Sequence, residues 1–427
     1  MRYVARDFGD ASFVFDLSTG NSIFLEGTLA SPALRCLDDN RANLPISFLS
    51  RFDLEDHKQI IQDWPTIQLA MWAFLNGSSS GYESIQVSPL RKTALEELSE
   101  YAVHNWQLIN VNLELTARCN QRCRWCYLDS FQSKGMSRNS LVQLADELRT
   151  KNALFVLFTG GELFLRPDTM AIMADFAERE FILEVKTNGT LLTDEIVGGL
   201  SMLPLLDVQI SIYETHDGWS NLTRAIYPLN RIEDYVRKLV NADVPVTLSV
   251  LVGRHNIDRL REIHEHFLGF GAKVFYSPYI TPNRSGPGKE ISFRLSRREM
   301  EEKFGPFLEE INALPAQKRY RDCARNYTVC YAGRDQIAIG PDGTVYPCLD
   351  LRLPLGSLRQ EPFHQILARR KEIMGRFSLH EMAQCSTCSL RDYCDSCIGL
   401  ALVEHGDYRR PSQHKCDIVH FYARERR

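Results

Sequence analysis

The sequence lacks most of what would send a chain to a membrane or to nucleic acid. No apolar stretch approaches the length of a bilayer span, and the longest, residues 244–252, suits one buried strand. The first residues, Met1 to Asp16, have no apolar core and carry Asp7 and Asp10, so nothing there resembles a signal peptide. Positive charge is not in surplus: 50 Lys and Arg stand against 54 Asp and Glu, a formal net charge of −4. The basic footprint that phosphate backbones require is therefore missing. There is no internal repeat and no low-complexity tract. These absences predict a cytoplasmic chain with neither membrane nor nucleic-acid partners.

Cysteine is absent from one long stretch and crowded in two others. None of the 12 lies between Cys126 and Cys323. Cys36 stands alone in an apolar segment, residues 33–37, and reads as a buried core thiol. Cys119, Cys123 and Cys126 form a tight trio; Cys323, Cys330, Cys348, Cys385, Cys388, Cys394, Cys397 and Cys416 crowd the last quarter. In a reducing compartment, clustered cysteines bind metal more often than they form disulfides. Two metal-binding regions are the simplest reading.

At 427 residues the chain is too long for one ordinary core, and two or three domains are expected. Residues 12–17 and 22–26 alternate around a Ser18-Thr19-Gly20-Asn21 turn, a hairpin pattern. Helical patterns follow at 33–37, 54–63 and 66–75, then a Gly/Ser loop at 77–81, then a helix from Ser88-Pro89 to about His104. From Gln107 strands alternate with helices. The strands are placed at 108–115, 154–159, 181–186, 208–213, 246–252 and 273–278, and the helices at 140–149, 169–179, 194–200, 232–240 and 257–267. Such alternation predicts an α/β parallel sheet or barrel. Residues 282–288, rich in Pro and Gly, read as a loose connection to the cysteine-rich tail.

The trio has the spacing C-x3-C-x2-C and follows the first strand directly. Three thiolates on one loop can hold three irons of a [4Fe–4S] cube and leave the fourth open to a cofactor. Zinc is the alternative, but it wants a fourth ligand, and the loop offers no further His or Cys. Trp125 occupies the position before Cys126, and Thr159-Gly160-Gly161-Glu162 closes the second strand.

With these residues the chain resembles the radical S-adenosylmethionine (SAM) superfamily, whose signature is C-x3-C-x-aromatic-C followed by a Gly-Gly-Glu motif. The resemblance implies a partial (β/α)6 barrel. It further implies that the open iron binds SAM and that one electron cleaves SAM to a 5′-deoxyadenosyl radical, which takes hydrogen from the substrate. Carried over by position, it implies SAM contacts from Trp125, Tyr127, Gly160, Gly161, Glu162, Asn188, Ser211, Arg224 and Leu251. In that assignment the two glycines let the backbone approach the methionine ammonium and Glu162 supplies a carboxylate. Tyr213, Glu214, His216 and Asp217 follow the fourth strand, and the sequence alone singles out none of them as a base.

The tail reads Cys330-x12-Gly343-x4-Cys348, then Cys385-x2-Cys388-x5-Cys394-x2-Cys397, then Cys416. It resembles the SPASM domain, apart from x2 in place of x3 before Cys397. A zinc ribbon is the alternative. The SPASM resemblance implies two auxiliary [4Fe–4S] clusters, one on Cys323, Cys330, Cys348 and Cys397 and one on Cys385, Cys388, Cys394 and Cys416. With the trio that makes three clusters. The N-terminal hairpin and helices resemble a winged-helix precursor-recognition domain of the PqqD type, to whose edge a leader peptide adds as a strand. A packing extension that caps the barrel is the alternative.

The expected layout is a recognition domain and bridging helix over 1–105, a radical SAM partial barrel over 106–315 and a SPASM domain over 316–427. The expected function is an oxidoreductase that matures a ribosomally made precursor peptide by thioether or carbon–carbon cross-linking, with flavodoxin or ferredoxin as reductant. Two rivals are an anaerobic sulfatase-type maturase that forms formylglycine and a non-catalytic electron-transfer or peptide-binding protein.

Overall fold

The computed structural model describes residues 3–8, 11–16, 22–26, 94–215, 218–224, 228–313, 330–394 and 396–424. Its centre is a nine-stranded sheet. Six parallel strands follow one another across it: β4 (Asn110–Thr116), β5 (Phe155–Gly160), β6 (Ile182–Thr187), β7 (Leu205–Ile212), β8 (Val246–Leu251) and β9 (Lys273–Ser277). All six stand where alternation places them. The tail then adds three more at the β4 edge: β10 (Gln336–Ile339), parallel to β4, and antiparallel β11 (Thr344–Tyr346) and β12 (Gly356–Ser357). The cysteine-rich tail thus extends the barrel sheet and shares its core, with Ile337, Ile339, Val345 and Phe363 in the same apolar cluster as Leu113 and Phe158.

Helices cover one face of the sheet. The main ones are α1 (Ala94–Asn105), α2 (Arg138–Thr150), α3 (Thr169–Ala177), α4 (Asp194–Leu200), α5 (Gly218–Thr223), α6 (Leu229–Asn241) and α7 (Leu260–Leu268), with α8 (Phe363–Gly375), α9 (Ile398–His405) and α10 (Gln413–Arg424) in the tail. In α2, Ser137 caps the first turn by accepting from the Ser140 N–H, and Leu141, Leu144, Ala145 and Leu148 form the buried stripe. The other face of the sheet differs. Parallel strands usually read as continuous apolar runs because both faces are covered. Here β7 buries Val208, Ile210 and Ile212 but leaves Asp207, Gln209 and Ser211 half-buried on the opposite side. On β6 and β9 that side carries Glu184, Lys186 and Lys273, the two lysines exposed. The concave face is open and largely polar, with half-buried Leu157 and exposed Phe275 among its polar side chains.

At the N-terminus β1 (Tyr3–Asp7), β2 (Ala11–Asp16) and β3 (Ser22–Glu26) form an antiparallel sheet. The β2–β3 hairpin is the expected one, whereas β1 is an addition. The expected helices at 33–37, 54–63 and 66–75, on which the winged-helix reading depends, lie outside the described residues, as do Cys36 and Cys323. The small sheet packs Val4, Phe13 and Phe15 against Leu98 and Ala102 of α1 and against Leu154, Phe155 and Ile182 at the amino ends of β5 and β6. Arg6 fastens it there. Its side chain is fully buried and donates to the carbonyls of Ala153 (3.0 Å) and Glu180 (2.6 Å). Among the described residues no helix is long and apolar enough to cross a membrane.

Because Arg6 is a buried cation held by carbonyls 147 and 174 residues away, its loss strands those acceptors. Arg6→Ala is expected to lower the unfolding free energy in urea by about 3 kcal/mol. An unchanged midpoint would show that the small sheet is fastened elsewhere.

Candidate active site at the carboxyl ends of the strands

The cysteine loop leaves β4 and is held from outside at several points. The Ala117 N–H and the Thr116 hydroxyl both donate to the Ser133 carbonyl (3.0 and 2.9 Å). Farther along, the Arg122 and Arg124 N–H groups donate to the carbonyls of Thr223 (2.8 Å) and Leu222 (3.1 Å) at the end of α5. This places Arg224 directly beside the loop, at φ +54° and exposed. Nothing in the residue pattern marks α5 as the loop's support, because main-chain carbonyls carry no residue signature.

Gly160 and Gly161 are explained by the same loop. Their segment runs so close beneath it that the Gly161 N–H reaches the Thr116 carbonyl and the Glu162 N–H reaches the Arg118 carbonyl, each at 2.8 Å. A Cβ on Gly161 would lie 2.2 Å from the Arg118 oxygen, and one on Gly160, at φ +126°, would lie 2.3 Å from the Thr116 oxygen. The glycines therefore permit backbone to cross backbone. Glu162 is fully buried. Its carboxylate accepts from the Thr187 hydroxyl (2.8 Å), the Asn188 N–H (2.8 Å) and the Phe164 N–H (3.2 Å), tying the end of β5 to the end of β6. Burial pushes its carboxyl upward, and these three donors oppose the shift.

Asn188 completes the clamp. Its amide donates to Asn120 Oδ1 (2.9 Å), Asn120 donates to the Thr190 hydroxyl (2.8 Å), and that hydroxyl donates back to Asn188 Oδ1 (2.5 Å). The Asn188 Nδ2 also lies 3.9 Å from Cys119 Sγ. Trp125 is buried and stacks on His255 (ring centroids 4.3 Å apart), with Tyr213 at 4.6 Å and Phe293 edge-on at 5.5 Å. Burial lowers His255 from its ordinary 6.5 to about 4, so it stacks as a neutral ring. Ser211 and Leu251 lie half-buried at the carboxyl ends of β7 and β8. The Tyr127 carbonyl accepts from the Arg284 N–H (2.9 Å). Glu214 is buried and ion-paired to Arg259 (2.7 Å), a structural charge, while His216 and Asp217 lie outside the described residues.

The three thiols present a charge problem. Burial, with added repulsion between neighbouring thiolates, pushes Cys119 up to about 11 and Cys123 up to about 12, and raises Cys126 as well. Thiolates form here only if a cationic group meets them. Among the described residues no three His, Cys, Asp or Glu side chains are grouped to hold a single metal ion. A cube, by contrast, seats each thiolate on its own iron and spreads the sulfurs. The donor set fits a cluster.

The tail thiols fall into two groups. Cys348, pushed well above its usual range by burial, interacts with Asp350, Cys330 and Cys397. Cys416, pushed to about 12 by burial, interacts with Cys394, Cys385 and Cys388. The chain from Tyr279 to Asn283, which runs into the segment read as a loose connection, straps these groups to the trio. The Tyr279 hydroxyl lies 3.6 Å from Cys397 Sγ, the Ile280 N–H donates to His414 (3.2 Å), and Asn283 donates to the Leu128 carbonyl (2.8 Å).

Gly161→Ala forces a methyl group into the Arg118 carbonyl. The variant is expected to lose the trio's iron, about four atoms per chain, and to keep the tail's. Full iron in this variant would mean that the crossing is dispensable.

Comparison with known proteins bears on the same residues. The Radical SAM superfamily model matches residues 113–267, and the SPASM model, an iron–sulfur cluster-binding domain, matches residues 330–397. The chain is 24% identical over 325 residues to the AdoMet-dependent heme synthase of Methanosarcina barkeri, covering 69% of this chain and 92% of that protein. It is 25% identical over 313 residues to the antilisterial bacteriocin subtilosin biosynthesis protein AlbA of Bacillus subtilis, covering 68% and 67%. In fold it is similar to Streptococcus suis SuiB bound to precursor peptide SuiA, with TM-score 0.64, 12% identity, and 96% of this chain and 98% of that one covered. The chain carries a Radical SAM domain followed by an iron–sulfur cluster-binding SPASM domain.

Proposed function

We propose that this radical SAM enzyme is a peptide maturase that cross-links side chains of a ribosomally made precursor through a thioether or carbon–carbon bond. The open, largely polar concave face carries the reading. A peptide brings a backbone N–H and C=O at every residue, and these need partners when they leave water. Glu184, Lys186, Asp207, Gln209, Thr247 and Ser249 line the face with such partners. A flat apolar macrocycle, of the kind a heme synthase handles, would want apolar walls instead. The likeness to SuiB also extends over 96% of this chain.

In this reading Cys119, Cys123 and Cys126 hold the first [4Fe–4S] cluster, and SAM binds beside it among Trp125, Tyr127, Gly160, Gly161, Glu162, Asn188, Ser211, Arg224 and Leu251. Bound together, cluster and SAM supply a 5′-deoxyadenosyl radical. Cys330, Cys348 and Cys397, with Cys323, hold a second cluster; Cys385, Cys388, Cys394 and Cys416 hold a third. The chain's own part is to keep the Cys loop rigid through Gly161, Glu162 and Asn188 and to lay the substrate along the strand ends. The domain limits follow from the same reading: recognition over 1–105, barrel over 106–315 and cluster domain over 316–427. A leader peptide adds to the N-terminal sheet, and a flavodoxin or ferredoxin supplies electrons in the cytoplasm.

Oxygen-free reconstitution is expected to give about twelve irons per chain, falling to about eight in Cys126→Ala. Offered synthetic precursor peptides with cysteine-bearing cores, the reduced enzyme is expected to return products lighter by a hydrogen pair and linked between side chains. Conversion of a Cys or Ser to formylglycine would establish the sulfatase-type maturase instead. Peptides left unchanged while a heme precursor is consumed would overturn the reading.

A further inference from the structure

Glu114 sits in the middle of β4 on the concave side, between Asn112 and Thr116, while Val111, Leu113 and Leu115 face the helices. It is only 2% exposed. Two guanidinium groups converge on it from distant parts of the chain. Arg284, from the strap after β9, pairs with Oε1, and Arg352, from the tail just past Cys348, pairs with Oε2 at 2.9 Å. Each guanidinium lies over a tyrosine ring, Arg284 over Tyr127 (4.7 Å to the ring centroid) and Arg352 over Tyr346 (4.0 Å).

The ion pairs do not balance. Among the described residues Glu114 alone pairs directly with both guanidinium groups, whose side chains are 13% and 17% exposed, while Asp129 acts on Arg284 from beyond ion-pair distance. Two donors are left over: Arg284 Nε and Arg352 Nη1 are buried without a hydrogen-bond partner. Burying a cation and its donors without partners is costly, and a planar guanidinium fork matches a carboxylate in shape as well as charge. The Glu114 ion pairs and the tyrosine rings already restrict the rotational freedom such a fork would lose on binding. The site also has an address. The Arg284 N–H binds the Tyr127 carbonyl, one residue past Cys126, and Asn283 holds the next carbonyl, that of Leu128.

We infer that Arg284 and Arg352, pre-aligned by Glu114, form a receptor for a carboxylate of the substrate, which positions the peptide beside the Cys loop. The ligand is an acidic side chain or a C-terminal carboxylate. The inference rests on the peptide reading for its ligand class and deepens it.

The test uses the full-length, cluster-loaded protein with SAM saturating, so that SAM's own carboxylate cannot stand in for the probe. Binding is read by saturation-transfer NMR for three probes: N-acetyl-aspartate N-methylamide, its asparagine counterpart, and N-acetylalanine, which carries only a terminal carboxylate. The wild type is expected to prefer an acid over the amide by roughly tenfold or more. Whichever acid binds better identifies the source of the carboxylate. Arg352→Gln is expected to abolish that preference. Glu114→Gln, which removes the resident counter-charge without changing shape, is expected to tighten acid binding. Equal binding of acid and amide by the wild type overturns the inference without recourse to any variant. So does weaker acid binding in Glu114→Gln, and so does an Arg352→Gln variant that keeps the acid preference but loses SAM. Peptide product formation is not among these readouts, so the carboxylate site can fail while the maturase reading stands.

Discussion

Everything at the active end depends on the crossing of two backbones, the cysteine loop over Gly160 and Gly161. A three-thiolate loop cannot hold its own shape. Its sulfurs repel one another once ionised, and the short chain between them makes few main-chain bonds of its own, such as that from the Cys126 N–H to the Cys123 carbonyl (3.1 Å). The fold supplies the missing restraint from outside. Carbonyls of the loop meet N–H groups of the glycine segment, N–H groups of the loop meet carbonyls of α5, and Asn120 is locked to Asn188 and Thr190. Glu162 then ties β5 to β6 beneath the crossing. The carboxyl ends of the parallel strands, the usual place for ligands in such folds, are thereby joined into one rigid rim.

The rest of the molecule serves that rim. The N-terminal sheet packs on the opposite, amino ends of the strands, fastened by Arg6. The tail adds strands to the β4 edge and brings two thiol groups to the same side as the trio through the Tyr279–Asn283 strap. Meanwhile the concave face keeps its charges. A sheet covered by helices on one face only leaves room for a long substrate, and the side chains there suit a polar one.

Much of this was legible before any coordinates. Alternation of strand and helix patterns along the chain placed all six parallel strands, because parallel neighbours need a crossover, usually a helix, between them. The trio's spacing and its place after β4 marked the cluster loop. Gly-Gly-Glu stands at the end of the second barrel strand, and the structure gives its glycines a reason the sequence does not show: they admit the Cys loop's own carbonyls. What stayed hidden was carried by main chain or by distance. The supports from Leu222 and Thr223 are carbonyls. Asn283 reaches Leu128 across 155 residues, and Arg352 reaches Glu114 across 238. Strand β1 is short and declares itself only through its pairing with β2.

The central claim is that the clamped trio alone makes the reactive centre. The most direct measurement is 5′-deoxyadenosine released from SAM by the reduced, cluster-loaded protein, in the wild type, in Cys119→Ala and in Cys348→Ala. The account predicts release by the wild type, none without Cys119, and continued SAM cleavage without Cys348, which it assigns to a separate cluster. Release that survives loss of Cys119, or a fully loaded wild type that leaves SAM intact even with peptide present, would contradict it.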